Sequence, residues 1–202
     1  MTDLHRKDYW NSRWKEGKTG WDLGMPSPPL IFLVETLQPS KTSRILIPGC
    51  GNAWEAEWLA AQGFTDITLV DIAPDLCHQL EQRFAQTTAI TVRCADFFDL
   101  EGPYDLILEQ TFFCAIVPEL REAYTVKMKA LLSEQGILAG VLFDTTFPFD
   151  GPPFGGHADD YRTLFQQQFR NVHLAACKHS AAPRAGTECL MACSQHALHP
   201  GF

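Results

Sequence analysis

The residues Gly49-Cys50-Gly51 form a candidate ligand-binding turn, because they directly follow the apolar run "RILIP". Glycines at the carboxyl end of a first buried strand let the backbone approach a ligand closely. A dinucleotide turn of the form G-x-G-x-x-G needs a third glycine, and Trp54 stands at that position. An indole there would crowd a pyrophosphate, so the sequence favours a nucleoside without phosphates, such as S-adenosylmethionine. A tight structural turn without a ligand is the alternative interpretation.

Two aspartates end neighbouring predicted strands and offer hydrogen-bond acceptors to such a nucleoside. Asp71 ends "TLVD" about twenty residues after the glycine turn, where a carboxylate can accept hydrogen bonds from both ribose hydroxyls. Asp96 ends "CAD" and can bond the adenine amino group, with Phe97 as an apolar wall for the ring. The alternatives are an N-cap for the helix at Pro74 and a loop cap at Asp96.

The stretch "LILEQTFFCAI" brings further functional groups to the end of the fourth predicted strand. Glu109 and Gln110 reach the edge of the sheet, and Phe112 and Phe113 follow at once. A carboxylate beside exposed aromatic rings suits a bound sulfonium cation, and ordinary core packing is the alternative for both phenylalanines. Glu109, or Asp144 after the fifth strand, can take a proton from an acceptor thiol, so these two are the candidate catalytic residues.

A parallel sheet is predicted to position these residues. Short apolar strands alternate with amphipathic helices, which is typical of a sheet that is covered on both faces. The predicted strands are 44–48, 66–71, 89–96, 104–110, 136–144, 169–178 and 188–193. The predicted helices are 29–37, 53–62, 74–86, 118–133 and 159–168, with "SEQG" ending the fourth of them at Gly136. Since no helix fits between the last two strands, we expect them to pair antiparallel.

This order predicts an α/β protein of the class I methyltransferase fold, which is Rossmann-like. We expect a seven-stranded, mostly parallel sheet with an antiparallel C-terminal strand pair and helices on both faces. That step is an analogy between folds, and a fold does not fix a function.

The first 40 residues stand apart from this pattern. Trp10 and Trp14 are four residues apart, so they share one face of a short helix. The helix breaks at Gly17 and Gly20, and Trp21 follows on a loop. We expect a single domain over 1–202 in which 1–40 form a helical lid over the cofactor site, which would exclude water from the transferring methyl group. A stripe that faces the core is the alternative for the tryptophans.

Composition limits the partners. The chain has 202 residues, a formal net charge of −8 and 46 % hydrophobic residues, enough for a sizeable core. An acidic surface repels phosphate backbones, so we expect no nucleic acid partner. No apolar run approaches the roughly 18 residues that span a bilayer. The start "MTDLHRKDYW" lacks the apolar core of a signal peptide, so we expect a cytoplasmic protein. We expect a monomer that acts on a small molecule.

The seven cysteines predict neither a disulfide framework nor a metal site, because their number is odd and no CxxC pair occurs. Cys189, Cys193, His196 and His199 are close in sequence. However, "TECLMAC" is typical of a strand, and residues four apart on a strand lie about 13 Å apart. One metal ion cannot bind both cysteines at that distance, so we expect no metal.

Several segments together resemble the thiopurine S-methyltransferase superfamily, and the thiol and halide methyltransferase branch in particular. They are "YWNSRWKEGKTGWDLGMPSPPL", "ILIPGCGNAWEAEWLAAQGF", "VDIAPD", "ADFF", "EQTFFCAIVPELREAY", "GPPF" and "PRAGTE", which extend over nearly the whole chain. The most specific are the tryptophan spacing and "TFFCAI". The thiopurine branch tends to have a bulkier residue at Gly49 and a glutamate at Asp71, and this sequence has the thiol/halide pattern at both.

The resemblance implies cofactor-binding and substrate-binding residues. It implies contacts with S-adenosylmethionine at Trp10, Trp14, Trp21, Gly49, Asp71, Asp96, Phe97 and Gln110, to which the strand-end analysis adds Gly51 and Glu109. Relatives in the halide branch often have tyrosine at Gln110. The substrate-binding candidates are Phe113, Arg121, Phe143 and Phe154. Arg121 matches an arginine that contacts cofactor or substrate in the thiopurine branch. Some relatives have tyrosine at Phe143, so this chain lacks one candidate acid–base hydroxyl.

We therefore expect an S-adenosylmethionine-dependent methyltransferase that acts on a small soft nucleophile, a thiol or hydrosulfide, and leaves S-adenosylhomocysteine. Halide or thiocyanate, a thiopurine, and selenium or tellurium compounds are the alternative acceptors. A cofactor-binding protein without catalytic activity and an NAD-dependent oxidoreductase are the alternatives from other classes. Trp54 argues against NAD.

Overall fold

A seven-stranded sheet forms the centre of the computed structural model, which describes residues 7–198. The strand order is β3-β2-β1-β4-β5-β7-β6. The first five strands are parallel, and β7 pairs antiparallel with both β5 and β6. The strands are β1 Arg44–Pro48, β2 Asp66–Asp71, β3 Ile90–Cys94, β4 Tyr104–Gln110, β5 Leu132–Phe143, β6 Asn171–Ala176 and β7 Glu188–Ser194. The predicted fold class is confirmed.

Six α-helices cover the sheet within the described residues. They are α1 Lys7–Lys15, α2 Pro28–Leu37, α3 Trp54–Ala61, α4 Pro74–Arg83, α5 Arg121–Leu131 and α6 Ala158–Gln166. Leu33, Leu59 and Leu76 of α2, α3 and α4 are buried in one apolar layer. Tyr124 of α5 and Phe165 of α6 are buried in a second layer. Both faces of the sheet are therefore dry, which explains why its central strands are apolar throughout.

The junction between α5 and β5 differs from the prediction. The strand was expected to begin at 136, but it begins at Leu132, directly after the helix. Leu132 pairs with Tyr104 across a register shift. A Cβ at Gly136 would lie 2.8 Å from the Tyr104 carbonyl oxygen. Gly136 therefore allows a close approach of two strands and does not end a helix. The helix itself begins at Arg121, after a 3₁₀ turn over Pro118–Leu120.

The C-terminal strand follows the prediction. Cys189 and Cys193 both lie on β7, opposite Leu142 and Leu138 of β5. His199 lies outside the described residues. In the described part of the chain, no group of three or more histidine, cysteine or carboxylate side chains is arranged to hold a metal ion. Nor does any helix between residues 7 and 198 combine the length and the apolar character needed to cross a bilayer.

The N-terminal segment lies over the carboxyl end of the sheet. Helix α1 packs on α4, and Asn11 exchanges two hydrogen bonds with Asp75, one with the carboxylate and one with the backbone N–H. Lys15 forms an ion pair with the same carboxylate at 3.0 Å. Farther along the segment, α2 packs on β5 and β4. The segment thus packs along one face of the sheet, from α4 to β5.

Candidate active site

A cavity of about 360 Å³ follows the carboxyl edge of the parallel strands. Its lining includes Asp96 after β3, Asp71 at the end of β2, Gly49 after β1, Thr111 after β4 and Phe143 at the end of β5. These five strands, β3, β2, β1, β4 and β5, are neighbours in the sheet in this order, so the cavity extends across all of them. The volume falls within the range of about 300–1,000 Å³ that is usual for small-molecule sites.

Backbone conformation favours glycine at positions 49 and 51, and close packing also requires it at position 49. Gly49 and Gly51 have φ values of 57° and 51°, in the left-handed region. A Cβ at Gly49 would overlap the ring of Phe112, while one at Gly51 would lie 3.6 Å from the ring of Trp14. Both glycines line the cavity, as expected for a backbone that approaches a ligand.

Asp71, at the end of β2, forms hydrogen bonds with the start of α4 and with the glycine turn beside the cavity. One carboxylate oxygen accepts a hydrogen bond from the N–H of Ala73 at 3.0 Å, at the start of α4. The other accepts one from the N–H of Gly51 at 3.4 Å. Burial raises the pKa of this carboxyl above its ordinary value. The side chain lines the cavity, so the same residue supports the local backbone and faces the ligand space.

Asp96 and Phe97 form the β3 end of the cavity. Asp96 accepts a hydrogen bond from the N–H of Phe98 at 2.9 Å and caps the 3₁₀ turn Phe97–Asp99. The ring of Phe97 lies 5.1 Å from that of Phe112, edge to face. Asp96, Phe97 and Phe112 all line the cavity. An aromatic corner with a carboxylate at its rim is thus available for a planar ring that carries an amino group.

Three tryptophans of the N-terminal segment form a wall of the cavity. The ring of Trp21 meets those of Trp10 and Trp14 edge to face, at 5.7 Å and 5.8 Å. All three line the cavity. Their helical spacing and the loop after α1 bring them together, as the sequence predicted.

Trp54, which replaces the third glycine, has a contact that the sequence analysis missed. Its indole N–H donates to Asp22 at 2.7 Å, and the side-chain amide of Asn52 donates to the other carboxylate oxygen. The guanidinium of Arg83 lies 4.8 Å from the indole ring. The residue therefore attaches the N-terminal segment to the glycine turn, through a contact between residues 32 positions apart.

Glu109 lies behind the cavity wall. The side chain is completely buried, and one oxygen accepts hydrogen bonds from the N–H groups of Phe112 and Phe113 at 2.9 Å and 2.6 Å. Its other oxygen has no hydrogen-bond partner among residues 7–198. Burial raises its pKa to about 7. Glu109 shapes the turn that presents Phe112, and the structure does not bring it to the cavity.

Replacing Glu109 with glutamine is expected to flatten the pH dependence of stability. The carboxyl has a pKa of about 7 when folded and an ordinary value of 4.5. Because the folded protein binds the proton more tightly than the unfolded chain, this carboxyl contributes its full share to the free energy of unfolding below pH 4.5. That contribution is lost as the pH rises through 7. Between pH 5 and 8 the wild type should lose about 2 kcal/mol more than Glu109→Gln. Urea denaturation at several pH values measures this difference.

The matched control is Glu134→Gln, which changes an exposed carboxylate on β5. This variant should retain the wild-type pH dependence. If Glu109→Gln also retains it, the buried carboxyl of Glu109 is not the group that titrates.

Arg121 and Phe113 lie next to the cavity rather than on its surface. The Arg121 guanidinium lies 4.5 Å from the ring of Phe113, which is buried in the core. It donates to the carbonyl oxygens of Phe154 and Gly155 at 3.1 Å each. Phe154 is held further by a hydrogen bond from its N–H to the Cys114 carbonyl. These contacts fix the segment whose neighbouring prolines, 152 and 153, do line the cavity.

Asp144 and Gln110, two other predicted site residues, do not line the main cavity. Asp144 accepts a hydrogen bond from the N–H of Ala158 at 3.1 Å, where α6 begins, and does not line the cavity. Gln110 faces a smaller recess that shares Trp21 and Gly49 with the main cavity. Its side-chain oxygen is buried and has no hydrogen-bond partner in the part of the chain that the structure describes.

Arg184 is the main lining residue that sequence reasoning missed. The side chain is 8 % exposed. It donates to the Trp21 carbonyl oxygen at 2.6 Å and forms an ion pair with Glu188 at 3.5 Å. Its guanidinium carbon lies 5.5 Å from the ring centre of Phe143. The sequence feature that could have indicated Arg184 is its place as the single arginine of "APRAGTE", a loop directly before a strand that is buried throughout.

Other lining residues that were not predicted come from the turns after the strands. They are Ile72, Ala95, Thr111, Cys114, Ala115, Ile116, Pro152 and Pro153, while Val70 of β2 and Arg13, Lys18 and Gly20 of the N-terminal segment also line the cavity. Most are small or apolar, so only their position after a strand could have indicated them.

The residues present fit S-adenosylmethionine. The carboxylates of Asp71 and Asp96 offer acceptors to ribose hydroxyls and an amino group, at the β2 and β3 ends of the cavity. The backbone of the glycine turn lines the cavity at Gly49 and Gly51, where a ligand can approach it closely. The side-chain oxygen of Gln110 has no hydrogen-bond partner within residues 7–198. It can therefore accept a hydrogen bond from the ammonium group of the cofactor.

Comparison with known proteins agrees with this arrangement. The family profile described as "Thiopurine S-methyltransferase (TPMT)" matches residues 5–197. Probable thiol methyltransferase 2 of Arabidopsis thaliana is 29 % identical over 185 residues, which cover 89 % of this chain and 81 % of that protein. Thiocyanate methyltransferase 1 of Brassica oleracea is also 29 % identical over 185 residues, with the same coverage of 89 % and 81 %.

The fold is shared with solved methyltransferases. The crystal structure of 1,6-didemethyltoxoflavin-N1-methyltransferase from Burkholderia thailandensis, with bound 1,6-didemethyltoxoflavin and S-adenosylhomocysteine, superposes with a TM-score of 0.71 at 18 % identity. The match covers 93 % of this chain and 85 % of that one.

Proposed function

The chain belongs to the thiopurine S-methyltransferase family and is a methyltransferase that depends on S-adenosylmethionine; from this we propose that it methylates a small thiol or hydrosulfide. The observation that carries the choice of acceptor is the buried guanidinium of Arg184. One of its terminal nitrogens donates to the Trp21 carbonyl oxygen, and the other lies 3.5 Å from the Glu188 carboxylate. The guanidinium lines the cavity beside the ring of Phe143, and a cation at this position favours a small, soft anion such as a thiolate.

The cofactor is assigned to the β1–β4 part of the cavity. Asp71 accepts hydrogen bonds from the ribose hydroxyls, and Asp96 accepts one from the adenine amino group beside Phe97. Gly49, Gly51 and Gln110 bind the methionine portion, and the tryptophans Trp10, Trp14 and Trp21 cover it. When bound, S-adenosylmethionine supplies an electrophilic methyl group on a sulfonium sulfur.

The acceptor is assigned to the β5–β7 end, where Phe143, Cys114, the prolines at 152 and 153 and the Arg184 guanidinium line the cavity. These groups exclude water and hold the acceptor in line with the methyl group, and alignment of two reactants lowers a barrier substantially. Arg121 and Phe154 support this end by fixing the proline segment.

No general base is assigned. Glu109 and Asp144 do not line the cavity, and a thiolate is the reacting form of a thiol. We infer that the acceptor ionises in solution and enters as the anion, with Arg184 compensating its charge. Positive charge disperses as the methyl group transfers, so the protein has to exclude water and align the reactants.

We also infer that residues 1–40 act as a lid within a single domain over 1–202. Three attachments support this: Asn11 to Asp75, Asp22 to Trp54 and the Trp21 carbonyl to Arg184. Each joins the segment to a different element at the edge of the sheet. Since the wall of tryptophans belongs to this segment, movement of the segment would open and close this side of the cavity.

The acceptor proposal predicts the pH dependence of turnover. With a thiol whose pKa lies near 8.5, the ordinary value of a cysteine side chain, kcat/KM should rise about tenfold per pH unit below that pKa, because only the thiolate reacts. Steady-state assays of S-adenosylhomocysteine formation between pH 6 and 9 measure this profile.

Thiocyanate provides the matched control, since it is an anion throughout this pH range. Its profile should be much flatter than that of the thiol. Equal slopes for both acceptors would place the titrating group on the protein, and a flat thiol profile would contradict entry as the thiolate.

Thiocyanate is also the second candidate acceptor. The Arg184 corner accepts any small soft anion, and one relative is named a thiocyanate methyltransferase. Phe143 brings no hydroxyl to this corner. The ratio of kcat/KM for an alkyl thiolate to that for thiocyanate, at pH 9, decides between the two.

A further inference from the structure

Two cysteines, Cys77 and Cys94, lie next to the backbone of Asp71 and outside the proposed cofactor contacts. Cys77 is buried in α4, and its thiol donates to the Asp71 carbonyl oxygen at 3.4 Å. Cys94 ends the edge strand β3, where it is the register partner of Asp71 on β2. Of the seven cysteines, all within the described residues, Cys94 alone is exposed.

The two cysteines lie on packed elements, because α4 packs on β3 and Cys94 is the register partner of Asp71, whose carbonyl oxygen accepts the hydrogen bond from Cys77. Burial raises the pKa of the Cys77 thiol, and the neighbouring Cys94 raises it further. The negative charges of Asp71 and Glu81 act in the same direction. Cys77 is therefore held as a neutral thiol beside an accessible one. This is the arrangement of an exposed attacking cysteine with a buried resolving partner.

Both cysteines are connected to the cavity by short paths. Ala95 and Asp96, which directly follow Cys94, line the cavity, and the Ala95 N–H donates to the Asp71 carbonyl at 3.1 Å. The Cys77 N–H donates to the Ala73 carbonyl, and the Ala73 N–H in turn donates to the Asp71 carboxylate. Movement of either cysteine thus acts directly on the backbone that positions Asp71 and Asp96.

We propose that Cys77 and Cys94 are a redox modification site, whose oxidation to a disulfide by a small-molecule disulfide weakens cofactor binding. The Cys94 thiolate attacks one sulfur of the small disulfide and releases the first thiol. Cys77 then loses its proton to solvent and attacks the Cys94 sulfur, which releases the second thiol. The protein loses two electrons, and the small disulfide is reduced to two thiols.

This inference rests on the proposed assignment of Asp71 and Asp96 to S-adenosylmethionine. Bond formation takes the Cys77 sulfur away from the Asp71 carbonyl and draws α4 and the end of β3 together. An enzyme that methylates thiols would then slow when the surrounding thiols are largely oxidised and its acceptor is scarce.

The test treats the full chain with bis(2-hydroxyethyl) disulfide. Thiol titration in denaturant should fall from seven groups to five, and peptide mass mapping should find Cys77 joined to Cys94. Calorimetry should show binding of S-adenosylmethionine weakened about tenfold, the effect of losing one or two hydrogen bonds. Dithiothreitol should restore it.

Two variants complete the test. Cys94→Ser should keep its affinity after the same treatment, and Cys77→Ser should stop at a mixed disulfide on Cys94. A wild type that stops at that mixed disulfide overturns the pairing, and a disulfide without loss of affinity overturns the coupling to the cofactor. If the reduced protein does not bind S-adenosylmethionine, the cofactor assignment fails, whereas the thiol count still decides the pairing.

Discussion

Asp71→Ala is expected to weaken the binding of S-adenosylmethionine about 100-fold or more. The carboxylate lines the cavity and is assigned to both ribose hydroxyls, and a hydrogen bond to a charged group contributes about 1.5–3 kcal/mol. The substitution also removes the acceptors of the Ala73 and Gly51 N–H groups. Calorimetric titration of the purified variant measures the loss of affinity.

Controls separate this loss from unfolding. Asp71→Asn retains an acceptor for the Ala73 N–H and should melt close to the wild type, yet bind the cofactor more weakly. Asp99→Ala removes an exposed carboxylate from the turn after Asp96 and should bind normally. Undiminished affinity of a folded Asp71→Ala protein would remove Asp71 from the cofactor site.

Arg184→Met is expected to lower kcat/KM for an alkyl thiolate about 100-fold, while the affinity for the cofactor changes much less. Removing a buried cation leaves the anionic acceptor uncompensated and also releases the Trp21 carbonyl. Assays at pH 9 with a thiol whose pKa lies near 8.5, which is largely ionised at that pH, isolate this effect from the ionisation of the acceptor.

The partner carboxylate has to be controlled, because the same substitution leaves Glu188 buried without its cation. Adding Glu188→Gln to Arg184→Met should recover stability but not activity. Arg184→Lys should recover part of the activity. If the double variant regains wild-type kcat/KM, the arginine serves only to neutralise Glu188.

Most of the fold could be predicted from periodicity, because the central strands are buried on both faces and β1, β2 and β4 are short apolar runs. The start of β5 could not, since Leu132 joins the sheet through a register shift with Tyr104. The glycine at 136 has the same appearance in sequence whether it ends a helix or lets two strands approach.

The strand-end residues of the site were predicted for a geometrical reason: parallel strands bring their carboxyl ends to one edge. Arg184 was not, because its contact with Trp21 joins residues 163 positions apart. The sequence also did not show that the Glu109 side chain points into the core and away from the cavity. This orientation depends on Gly140 of the neighbouring strand, where a Cβ would lie 2.7 Å from the Cβ of Glu109.

The bond between Trp54 and Asp22 has a consequence for the evolution of cofactor choice in this chain. A change to glycine at position 54 would restore the dinucleotide motif, but it would also remove one of the three attachments of the segment that carries the tryptophan wall. A first step toward a pyrophosphate ligand would therefore weaken the wall of the present cofactor's cavity before any new contact was gained.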